Sequence, residues 1–194
     1  MRKSVNHKYA PLLLAAAVAT PSVTLAQLEE VIVTSERRQA SVQDVPVAVS
    51  AFNEELVEQL QIDDTLDLIH VVPNMFGGNN TGLGTANMYY LRAQGNDESI
   101  ATFDPPVGTY VDDVYITRQN INNVALFDVE RIEVLRGPQG TLYGRNTTGG
   151  ALSVIMKKPG ESFGGFVEAG AGSYGRTTLP PSVDIPLSDN LLTK

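Results

Sequence analysis

Residues 128–144 read DVERIEVLRGPQGTLYG, and this stretch decides the fold. Ile132 to Leu135 is an apolar run of strand length that stops at the Gly137-Pro138 break. A long Gly-rich turn, Gly137 to Gly150, separates it from a second strand-like run, Ala151 to Met156. Working upstream, Val107 to Val111 and Val114 to Ile116 flank Asp112-Asp113, which reads as a two-residue hairpin turn. Val47 to Ala51 and Met88 to Leu91 read as further strands. Asn53 is placed to cap a short helix whose first turn carries Glu54 and Glu55, with Leu56 and Leu60 on its buried face. A second short helix is predicted from Thr65 to His70, capped by Asp64 and stopped before Pro73, and a helical turn at Asn122 to Phe127. Asn74 to Thr85 (NMFGGNNTGLGT) and Gln94 to Pro106 read as polar loops. The fold class is α+β: a small mixed-sheet domain with short helices and long loops over 46–159.

The flanks differ in character. Residues 1–26 carry Arg2, Lys3 and Lys8 without an acid, then an apolar run at Ala10 to Ala19, then Thr24-Leu25-Ala26. That order is a secretory signal with cleavage after Ala26. Ten apolar residues fall well short of the roughly 20 that a spanning helix needs. The remainder keeps 11 basic and 22 acidic residues, a balance that repels a phosphate backbone and argues against nucleic-acid binding. Residues 27–45 are polar around one apolar island, Val31-Ile32-Val33, and read as a mobile extension. Beyond Pro159, Phe166 to Ser173 alternates weakly between apolar and polar or glycine residues, as a membrane strand or any half-buried strand does. The sequence has no cysteine, so disulfides and thiolate chemistry are excluded.

Three blocks resemble the TonB-dependent outer-membrane receptor family. Glu29-Glu30-Val31-Ile32-Val33-Thr34 is similar to its TonB box. Pro105 to Ile116 and Asp128 to Gly144, the latter continuing through Arg145, Gly149-Gly150 and Lys157-Lys158-Pro159, are similar to its plug domain. Leu91-Arg92-Ala93-Gln94-Gly95 matches the family's Arg-x-x-Gly element more loosely. Two positions depart from the pattern: Asp112-Asp113 where the family usually has Asp-Gly, and Pro180-Pro181 where a second barrel strand is expected to be interrupted.

The resemblance implies a signal peptide (1–26), a mobile TonB-box extension (27–45), a plug (46–159) and the start of an outer-membrane β-barrel (160–194). It implies a location in the outer membrane of a Gram-negative bacterium after Sec export, or in the periplasm if the chain ends at Lys194. The implied role is energy-coupled uptake of a nutrient complex, typically a ferric siderophore, with too little chain after Pro159 to build a pore. A soluble periplasmic plug-like module or a non-functional gene fragment is the alternative. The implied partners are the TonB C-terminal domain, through Glu29, Glu30, Val31, Ile32, Val33 and Thr34, the rest of the receptor's own barrel, and the nutrient complex. TonB would grip by strand addition, which needs only an extended, β-prone segment. Arg92 and Arg136 are expected to face acidic residues on a barrel wall, with Arg145, Glu130 and Glu133 as further plug–barrel contacts; the alternative for each is solvated surface charge. Asn79, Asn80, Thr81, Asn96 and Asp97 are candidate substrate-facing loop residues, and equally plain loop residues.

No cofactor, metal or catalytic site is expected. The Gly137–Gly150 turn lacks the lysine of a phosphate-binding loop, and no Ser, His and Asp stand in triad context.

Overall fold

A computed structural model describes residues 32–34, 38–80, 86–100, 102–188 and 190–194. The secretory signal (1–26), Glu29, Glu30, Val31 and Thr81 lie outside the described residues.

In chain order the strands and helices are β1 (Ile32–Val33), β2 (Ala40–Ser41), β3 (Val49–Asn53), α1 (Glu54–Gln59), β4 (Met75–Asn79), β5 (Asn87–Leu91), β6 (Gln94–Gly95), β7 (Val107–Val111) and β8 (Val114–Ile116). They continue as β9 (Val129–Arg136), α2 (Gly140–Tyr143), β10 (Gly150–Met156), β11 (Gly164–Val167), β12 (Gly170–Ala171), β13 (Thr177–Thr178), β14 (Pro181–Ser188) and β15 (Leu191–Thr193). The central sheet has five strands in the order β3-β9-β10-β7-β8. Pairing is antiparallel except for β10 with β7, which makes the sheet mixed.

Its two faces follow from strand alternation. On one, Ile132, Val134, Leu152 and Val154 pack with Phe52, Val57, Leu68 and Leu91 into the main core. On the other, Leu135 and Ala151 pack with Tyr110 and Tyr143 in a smaller cluster. Asn53 caps α1, its Oδ1 accepting from Leu56 N at 3.0 Å. Val57 is the buried residue of α1, while Leu60 is exposed, against the sequence expectation. The helix is a turn and a half long, so one position dominates its inward face. The predicted second helix is a 3-10 turn, Asp67–His70, and Asp64 Oδ1 accepts from Leu66 N at 2.8 Å just before it. The helical turn falls at Gln119–Ile121, ahead of the predicted Asn122 to Phe127.

The glycine-rich stretch after Asn74 is a strand through Asn79, not a loop. It pairs with β5, and Phe76 stacks on its cross-strand partner Tyr90 at 4.7 Å. Gly77 serves this pairing: a Cβ there would stand 2.1 Å from Met88 O. The hairpin at Asp112-Asp113 forms as predicted, with φ of 46° and 67°. Aspartate tolerates this left-handed region better than most residues, and Asp112 Oδ1 also accepts from Met156 N at 2.9 Å, which accommodates the departure from Asp-Gly.

The expected interruption falls at Leu179 and Pro180, between two strands, and Pro181 opens the second. β13 ends at Thr178, β14 starts at Pro181 opposite Val167, and Glu168 N donates to Pro180 O at 3.2 Å across the gap. Proline is tolerated at a strand's first position because no inward N–H is needed there. β11, β14 and β15 form an open three-stranded sheet on which Val183, Ile185 and Leu187 are exposed at alternate positions.

Candidate functional site

Within 27–45 the described residues include two short strands. β1 pairs with β2, Val33 is fully buried, and Val45 is buried. This strap lies on the face of the central sheet that carries Glu133. Alternation along β9 puts Glu133 on the same face as Leu135, between Ala51 of β3 and Ser153 of β10. Those small neighbours leave room above the carboxylate, and Thr34 fills it. Thr34 N donates to Glu133 Oε1 at 2.7 Å and Thr34 Oγ1 lies 3.1 Å from the same oxygen. Arg131 Nε donates to Glu133 Oε1 at 2.9 Å and Arg131 Nη2 donates to Thr34 Oγ1 at 3.0 Å, closing a ring of three side chains. A cleft of about 500 Å³ opens beside this ring, lined by Thr34, Asp112, Asp113, Glu130, Arg131 and Lys157 among others.

Glu133 has no exposed side-chain surface and is engaged by Thr34 and Arg131. Glu130 is exposed and pairs with Arg131.

Arg136 and Arg92 lie near the other end of the sheet, and Arg145 lies in the stretch between α2 and β10. Arg136 ends β9 opposite Gly150, about 17 Å along the strand from Arg131 at ordinary strand rise. Arg92 has a φ of 51° and reaches the adjoining turn, since a Cβ on Gly137 would meet its Nη1 at 3.2 Å. Arg136 Nε is buried and has no hydrogen-bond partner among the described residues. Arg145, largely exposed, pairs with Asp104 at 2.9 Å.

The candidate substrate-facing residues mostly hold the fold. Asn79 Nδ2 donates to Asn87 Oδ1 at 2.7 Å, and the buried Asn80 donates to Asp97 O at 2.8 Å. Asn96 forms a turn with Glu98 N at 2.9 Å, and the exposed Asp97 side chain accepts from Tyr90 Oη. Sequence reading missed the polar network behind them. Asn87 Nδ2 donates to Tyr89 Oη at 2.7 Å, Tyr89 Oη donates to Thr65 Oγ1 at 2.9 Å, and Thr65 Oγ1 donates to Asn122 O at 3.0 Å. Asn122 and Asn87 exchange two further bonds at 2.7 and 2.8 Å. Burial is the main reason that the Tyr89 hydroxyl is held well above the usual tyrosine pKa.

The family model described as the TonB-dependent receptor plug domain matches residues 41–151, and the chain belongs to that family. The pesticin receptor of Yersinia pestis is 36% identical over 91 residues, covering 46% of this chain and 13% of that protein. The iron-regulated outer membrane virulence protein of Vibrio cholerae is 28% identical over 148 residues, covering 72% of this chain and 22% of its own. Among solved structures, the ferric yersiniabactin uptake receptor FyuA from Yersinia pestis superposes with a TM-score of 0.66 at 27% identity, over 75% of this chain and 22% of that one. The chain thus spans less than a quarter of the length of each of these proteins. The relatives are receptors and transporters, not enzymes.

Proposed function

We propose that this chain is the plug end of an outer-membrane receptor that takes up a nutrient complex with energy drawn through TonB. The supporting observation is the plug-family match over 41–151 with a β-prone segment immediately before it, seated at one end of the sheet and reached from a cleft. In this reading the Glu29 to Thr34 segment adds as a strand to the TonB C-terminal domain. Arg92 and Arg136 pair with carboxylates of a surrounding barrel, and the unpartnered Nε of Arg136 supports that assignment. Val183, Ile185 and Leu187 form part of the barrel's lipid-facing band. Ferric siderophores are the favoured cargo class, on the similarity to a ferric yersiniabactin receptor.

The test is capture by a purified TonB C-terminal domain. Ile32→Pro removes a main-chain donor from the segment and abolishes binding in this reading. Binding that survives Ile32→Pro undiminished would retire the assignment.

A further inference from the structure

β5 is paired with β4 along its whole length, but on its other edge β6 reaches only Tyr90 and Leu91. At Asn87 that second edge offers a main-chain N–H and C=O to which no described strand comes. One side chain meets both groups. Asn122 Oδ1 accepts from Asn87 N at 2.7 Å, and Asn122 Nδ2 donates to Asn87 O at 2.8 Å. A carboxamide carries the donor and acceptor of a peptide group, so it completes the ladder as a strand residue would. Aspartate lacks the donor, and serine offers one atom for two jobs. Asn87 and Asn122 are both buried, so water is a poor substitute for either bond.

Asn122 directly follows the 3-10 turn Gln119–Ile121, and the start of that turn holds a second segment: the buried Gln119 donates from Nε2 to Asn96 O at 3.1 Å. The turn is itself fastened from behind, since Thr65 Oγ1 donates to Asn122 O at 3.0 Å and Thr65 N donates to Val124 O at 3.1 Å. We propose that residues 119–122 are a bracket whose two side-chain amides set the spacing of the segments around Asn79–Asn80 and Asn96–Asp97, so that these candidate substrate-facing segments move as one. What the segments face rests on the receptor reading; the bracket stands on this chain's own contacts. A cargo that touches both segments then meets a surface already in place, and less ordering is left to binding. Asn122 is the stronger arm, because Gln119 Oε1 is buried without a partner among the described residues.

The chain has no cysteine, so nitroxides on Gly78→Cys and Glu98→Cys report the spacing alone. A Cβ at Gly78 meets nothing nearer than Met88 Cε at 4.0 Å, and Glu98 is exposed. The expected interspin distribution is single and narrow. Asn122→Ala broadens it about twofold or more, and Gln119→Ala broadens it less. Val57→Ala weakens the main core without touching the bracket and leaves the width as it was, which separates spacing from general loss of stability. An unchanged width in Asn122→Ala, or equal broadening in Val57→Ala, overturns the bracket. Should Asn122→Ala fail to fold, amide exchange in the unsubstituted chain decides. Asn87 N–H, on an edge without a strand, is expected to be protected roughly a hundredfold or more over a free amide, and an unprotected Asn87 overturns the bracket. Interspin width and TonB capture read different parts of the chain, so either reading can fail while the other holds.

Discussion

The two faces of the central sheet are covered in opposite ways. On one, Ile132, Val134, Leu152 and Val154 meet α1, the 3-10 turn and β5 in a continuous apolar core. On the other, near the Asp112-Asp113 end, a fully buried carboxylate meets one N–H and one hydroxyl from a strap of a few residues. Apolar burial grows with area and has no preferred partner. A directional polar contact can be lost as a unit and replaced by water at small net cost. One strand, β9, serves both faces through simple alternation: Ile132 and Val134 enter the main core, and Glu133 meets Thr34 on the other side.

Several substitutions sharpen that contrast. Ile132→Ala should have the largest effect, destabilising the chain by about 2–5 kcal/mol through lost burial and a residual cavity, read from a denaturant midpoint. A loss below about 1 kcal/mol would mean that the apolar face is not the main core. Val57→Ala should follow, while Leu60→Ser on the same short helix should change stability by less than about 0.5 kcal/mol.

The buried network supplies a pH test. The folded state keeps the Tyr89 proton above pH 10, where an unfolded tyrosine loses it, so the folded state binds more protons there and stability falls as pH rises from about 10. The Tyr89 contribution to that slope approaches about 1.4 kcal/mol per pH unit, and Tyr89→Phe should remove it. An identical alkaline slope in the variant would place the titration elsewhere. Asn53→Ala should cost about 1 kcal/mol by removing the helix cap, with no change at the strap.

Most of the central sheet was legible in the sequence because its strands are apolar runs cut by Gly, Pro or Asp pairs. The hairpin at Asp112-Asp113 and the Asn53 cap were legible for the same local reason. β4 was hidden because its glycines, usually turn residues, here allow close strand approach, as at Gly77 against Met88 O. Leu60 was misplaced because hydropathy alone cannot tell which position of a six-residue helix points inward. The burial of Glu133 was invisible for a deeper reason. Glu133 lies in a charged, plausible surface pattern, and its partner Thr34 comes from 99 residues away. Long-range partners leave no local mark, and the same holds for the Thr65–Tyr89–Asn122 network.

Amide hydrogen exchange at Thr34 and Val134 tests the contrast most directly, since the two positions belong to opposite faces. Thr34 N–H is expected to exchange through a local opening, at least a hundredfold faster than Val134 N–H under conditions where the sheet stays folded. Equal protection at the two amides would show that the strap opens only when the whole domain does, and would contradict the account.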